Sequence, residues 1–98
     1  MASIYFIRAL KTGLVKIGIS DSFDARLSKL RRENADEIEV LRVFSADADT
    51  ITELKRSLHQ ELSGVNCHHG WFEDCPQVRA AIEELDRRFS PENCSIRL

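Results

Sequence analysis

Ninety-eight residues give one domain with one modest core and no room for a second. Charged residues at 31% and apolar residues at 43% are the proportions of a soluble globular chain. No apolar run approaches the roughly 18 residues of a membrane span and no charged-then-apolar leader is present, so neither is expected, and the expected address is the cytoplasm.

The net charge of −2 is unevenly spread. Residues 1–32 carry seven Lys/Arg against two Asp/Glu, while residues 33–98 carry seven against fourteen, so the first third is +5 and the rest −7. Association with a polyanion depends on the local patch rather than the total, so the basic first third is where such a partner would sit. Three cysteines, Cys67, Cys75 and Cys94, are an odd number in a chain expected to be intracellular, and they read as reduced thiols.

Residues 4–9 alternate Ile4, Phe6 and Arg8 with Tyr5, Ile7 and Ala9, a strand pattern. Lys11-Thr12-Gly13 is a hairpin turn with Gly13 available for positive φ, and Leu14–Ile19 is the return strand. Gly18 leaves the backbone beside Lys16 open to close approach. Ser20 or Asp21 caps a helix running to about Asn34, with Phe23, Leu27 and Leu30 as its buried stripe. A third strand spans Glu37–Ser45, with Ile38, Val40, Arg42 and Phe44 on one face and Glu39, Leu41 and Val43 on the other.

Asp49 or Thr50 caps a second helix whose stripe is Ile51, Leu54, Leu58 and Leu62, ended by Gly64. Asn66–Gly70 reads as loop and Trp71-Phe72 as a packing anchor. Pro76 opens a third helix over 76–90, with Val78, Ile82, Leu85 and Phe89 apolar. The expected fold is α+β: a three-stranded antiparallel sheet flanked by helices, in the order ββαβαα. Cys67, His68, His69 and Cys75 carry zinc-type ligand atoms, but without a Cys-x₂-Cys pair they read as a polar loop.

A tyrosine on one strand, a lysine on its hairpin partner and an arginine on the next helix are able to meet at one point. All three suit a phosphate: a phenol beside the nucleophile, a cation to assist, and a guanidinium for the oxygens. Arg26 and Lys29 lie together beside the helix stripe, and Arg31 and Arg32 follow on what reads as a solvated face.

The ordered set Ser3-Ile4-Tyr5, Lys16-Ile17-Gly18, Arg26, Leu58-His59 and Trp71-Phe72 resembles the GIY-YIG nuclease superfamily. The likeness is to its small phage-associated and bacterial branch, in which Lys-Ile-Gly replaces the second Tyr-Ile-Gly, and it covers residues 2 to about 73. It implies a DNA-cleaving endonuclease with Tyr5 as base, Lys16 assisting, Arg26 on the scissile phosphate and His59 completing the pocket. Lys29, Arg31, Arg32 and Lys55 would serve nucleic-acid binding, and Mg²⁺ or Mn²⁺ would be the cofactor.

The branch places its metal-binding glutamate four residues before the histidine, where this chain has Lys55. Glu53 points elsewhere: position 55 lies about 40° from His59 around the helix, whereas position 53 lies about 120° away on the other side. Glu61, Glu73 and Asp74 remain as carboxylates from other directions, and no metal ligand is assigned. The alternative is a binding module of the same fold, without catalysis, for nucleic acid or a host protein, for example a phage-encoded inhibitor.

Overall fold

The computed structural model describes residues 1–33, 37–68 and 70–89. In chain order these form β1 (Ala2–Ala9), β2 (Val15–Ser20), α1 (Phe23–Glu33), β3 (Ile38–Ala46), α2 (Ala48–Glu61), a 3₁₀ turn (Ser63–Val65), β4 (Asn66–His68), β5 (Trp71–Phe72) and α3 (Pro76–Arg88). The α+β class holds, but the three-stranded sheet does not. The sheet has five strands in the order β3-β1-β2-β5-β4, each paired antiparallel to its neighbour.

The two additional strands are the stretch expected to be loop and anchor. At three and two residues they are too short to show alternation. Gly70, at φ 82°, turns the chain so that Phe72 lies opposite Val15 on one side and Asn66 on the other. The expected helix end at Asn34, His69, Cys94 and the Ser90-Pro91 stop lie outside the described residues.

Alternation along β1 feeds two separate cores. Ile4 and Phe6 join Val15, Ile17, Phe72 and the apolar stripes of α2 and α3, while Tyr5 and Ile7 join Leu30 of α1 with Ile38 and Val43. The sheet is therefore covered on both faces, α1 on one and α2 with α3 on the other. The β3 alternation needs correction. A register shift opposite Phe6 and Ile7 leaves Leu41 between Val40 and Arg42, so Leu41 shares a core with Phe44, and Val43 shares one with Ile38.

The caps also fall earlier or later than their nearest polar residues propose. Asp47 caps α2, its carboxylate accepting from the Thr50 N–H at 3.1 Å and the Thr50 hydroxyl at 2.7 Å. At α1 the Ser22 carbonyl accepts the Arg26 N–H at 3.1 Å, and Ser20 is tied to the Ser22 backbone rather than capping. Helix α2 ends at Glu61, ahead of Gly64, and runs on into the 3₁₀ turn.

Asp74 fastens α3 to the sheet. Its two carboxylate oxygens accept from Arg79 Nε and Nη2 at 2.8 and 2.9 Å, and Oδ2 also accepts from Arg8 Nε at 3.1 Å. The Arg79 hydrogen bonds, followed by the charges of Arg79 and Arg8, hold this carboxyl below the usual carboxylate range. A carboxyl with a depressed folded pKa adds stability at neutral pH, and that contribution is lost as pH falls through the folded value. Asp74→Asn is expected to cost about 1 kcal/mol at pH 7 and to flatten the acid limb of stability, measured by urea unfolding across pH.

Candidate functional site

The site lies where the sheet runs out. Strand β5 pairs with β2 only at Val15 and Lys16, and one further bond joins the Ile17 N–H to the Gly70 carbonyl at 3.1 Å. Beyond that point no strand of the described sheet flanks the outer edge of β2 at Gly18 and Ile19. Helix α1 brings Arg26 to this edge and α2 brings Lys55 and His59. Together with Tyr5, Lys16, Ile17, Gly18, Ile19 and Gly70 they line a hollow of about 180 Å³.

The four residues singled out as Tyr5, Lys16, Arg26 and His59 thus share one space. Tyr5 is its floor. It stands opposite Gly18 across the β1–β2 ladder, its ring 5.4 Å from that of Phe23, and is only 1% exposed. A Cβ at position 18 would lie 2.5 Å from the Tyr5 hydroxyl, so the phenol occupies the room that the missing side chain leaves. Burial pushes the phenol pKa up, and the charge of Arg26 and its hydrogen bond pull it part of the way back. At neutral pH the hydroxyl therefore keeps its proton.

Lys16 is half-buried with Nζ 5.4 Å from the Trp71 ring centre. Burial lowers its pKa, and the like charges of Lys55 and Arg26 lower it further against an opposing pull from Glu33. His59 Nε2 lies 3.3 Å from the Ile17 carbonyl oxygen, an acceptor, so Nε2 carries the hydrogen and donates. In the neutral ring Nδ1 is then the basic nitrogen. Burial, with Lys55 and Lys16, keeps His59 below the usual imidazole range despite that bond.

The remaining predicted residues divide. Lys55 lines the hollow one helical turn before His59, as the spacing requires. Lys29 lies in an adjoining groove of about 540 Å³, which shares Ile19 and Arg26 with the hollow and includes Ser20, Ser22 and Thr52. Arg31 and Arg32 are exposed in the last turn of α1 and do not line the hollow. Gly70 lines the hollow and Trp71 lies beside it against Lys16, where the sequence marks Gly70 as loop and Trp71 as an anchor within the resembling set. In the fold Gly70 takes positive φ, which the sequence does not record.

A divalent metal does not fit this wall. Magnesium and manganese take oxygen donors with at least one carboxylate, and the described residues around the hollow supply three cations and no carboxylate. The candidate acids are committed elsewhere. Glu53 pairs with Arg56 on another face of α2, Glu61 lines the α2–α3 groove, Glu73 is exposed, and Asp74 holds Arg8 and Arg79. No cluster of three His, Cys, Asp or Glu side chains able to hold a metal occurs among the described residues. The Cys67, His68 and His69 side chains lie outside them.

Fold and site together define a small α+β domain with a tyrosine-floored, cation-walled hollow at the open edge of its sheet. The chain belongs to the T5orf172 domain family, which matches residues 2–89, past the expected likeness and through α3. That family is associated with GIY-YIG-like, phage nuclease-type proteins. Neither a curated protein nor a solved structure matches the chain. Among the described residues no helix is long and apolar enough to cross a membrane.

Two outcomes follow from the floor of the hollow. Tyr5 is the chain's sole tyrosine, so a near-ultraviolet absorbance titration reads it directly. Its midpoint is expected above that of a free phenol and higher still in Arg26→Ala, which removes the lowering charge. Gly18→Ala is expected to cost about 1–3 kcal/mol, measured by urea unfolding, and to bring the Tyr5 midpoint back toward the free-phenol value as the ring is displaced.

Proposed function

We propose that this domain binds nucleic acid, with DNA as the first candidate, by seating one backbone phosphate in the hollow. The observation that supports it is the convergence of Tyr5, Lys16, Arg26, Lys55 and His59, brought from two strands and two helices, on a single small space. In this reading Arg26 sets its planar guanidinium against two phosphate oxygens, and Lys16 adds a point charge. The protonated Tyr5 hydroxyl donates from the floor. The adjoining groove with Lys29 carries the neighbouring backbone, and Arg31 and Arg32 add long-range attraction.

A second reading is phosphodiester hydrolysis by a GIY-YIG-like endonuclease, favoured by His59, whose neutral ring offers Nδ1 as a proton acceptor. In that reading Arg26 holds the scissile phosphate, Lys16 assists, and either Tyr5 or His59 takes the proton of the attacking water. Tyr5 would have to ionise against its burial, so His59 is the readier acceptor.

Fluorescence anisotropy with a labelled DNA duplex tests the binding reading. Arg26→Ala is expected to weaken binding roughly tenfold or more and to reduce the salt slope by about one. An Arg26→Ala affinity equal to the parent's would remove the hollow from the interface. Plasmid incubation beside the same variant separates the readings: cleavage lost in Arg26→Ala supports the endonuclease, and intact plasmid with retained binding supports the binder. If neither DNA nor RNA binds, a protein becomes the partner to seek.

A further inference from the structure

The wall of the hollow is unusual in its charge. Lys16, Arg26 and Lys55 stand around a space of about 180 Å³, close enough for Lys55 and Arg26 each to disfavour the charge on Lys16. Like charges gathered in a partly desolvated space are unfavourable in isolation, and an anion among them reverses the sign of the interaction. A divalent cation would deepen the repulsion. A phosphodiester, with one negative charge and two free oxygens, would relieve it.

Lys55 is placed for this by α2. It sits one turn before His59, and both are half-buried on the same side of the helix, whereas Glu53 and Arg56 are exposed and pair with each other. The ammonium at position 55 therefore faces the hollow, and the nearest carboxylate of its own helix does not. Glu33, which favours the charge on Lys16, is at the end of α1, in an ion pair with Lys29 at 3.9 Å.

We infer that the hollow takes its phosphodiester without a divalent metal ion, Lys55 supplying from α2 the positive charge that a metal would otherwise bring. This rests on the reading of the hollow as a phosphate site. It adds a cofactor requirement, or rather the lack of one, and a residue that carries it. Binding raises the proton affinity of Lys16, because the anion offsets Lys55 and Arg26, which hold it down in the free protein.

The test uses the full chain and two readouts: anisotropy of a labelled DNA duplex, and fluorescence of Trp71, the chain's sole tryptophan, which lies against Lys16. Affinities are measured in EDTA, in Mg²⁺ and in Mn²⁺ at matched ionic strength. The parent is expected to bind equally within about twofold in all three. Lys55→Ala is expected to lose roughly tenfold, and Lys55→Arg to retain most of the affinity. Lys55→Glu is expected to bind far less well in EDTA and to recover part of the loss in Mn²⁺, through the carboxylate it introduces beside His59. Thermal melts of each variant verify folding.

Parent binding that requires Mg²⁺ or Mn²⁺ would overturn metal independence and leave the phosphate reading standing. Lys55→Ala with undiminished affinity would overturn the role of Lys55. Absence of DNA binding in every buffer would overturn the inference and the phosphate reading together.

Discussion

A phenol lying across a glycine is the contact on which the rest of this molecule depends. Tyr5 and Gly18 face each other on adjacent strands, and the absent side chain at 18 lets the ring lie over β2 rather than stand clear of it. That places the hydroxyl at the sheet's edge while the ring packs on Phe23. Without the glycine the same tyrosine would be an ordinary member of the α1-side core. With it, a core residue becomes the floor of a cavity, and its burial sets its chemistry: a hydrogen-bond donor at neutral pH rather than a phenolate.

The second constraint is where β5 stops. Because it covers only the start of β2, the remaining edge is reached by helices from both faces, and each contributes a different kind of group. Helix α1 brings a guanidinium and α2 an ammonium and an imidazole. The backbone takes part as well, since the Ile17 carbonyl fixes which nitrogen of His59 bears hydrogen. A cavity formed this way is small and cationic, walled by groups from both faces of the sheet.

Much of this was legible in the chain. The hairpin, the three helices and the stripes of α2 and α3 follow from period and punctuation, while of the expected α1 stripe Leu30 is buried and Phe23 and Leu27 are only partly so. The separation of Lys55 from Glu53 around α2 follows from helical geometry alone. Two features were not. Strands β4 and β5 owe their existence to Gly70 and to partners remote in sequence, and segments so short carry no period of their own. The shift in β3 is likewise a property of pairing: Leu41 faces as it does because β1 opposite sets the register, which no local pattern of β3 records. At the hollow, Tyr5, Lys16, Arg26 and His59 meet as their order along the chain suggests, but the state of Tyr5 was not legible, because burial is a tertiary quantity.

The two cores are unequal, and the site straddles both. Leu30 is the sole buried residue of α1, whereas α2 and α3 contribute Ile51, Leu54, Leu58, Val78, Ala81, Ile82 and Leu85 to theirs. A helix held by so little apolar surface is the part of a fold that opens first in native-state fluctuations. Arg26 rides on that helix, so each such excursion takes the guanidinium away from the cavity and returns it. An occupant gripping Arg26 would also clamp α1, tying the lifetime of a bound polymer to the breathing of a single lightly anchored helix.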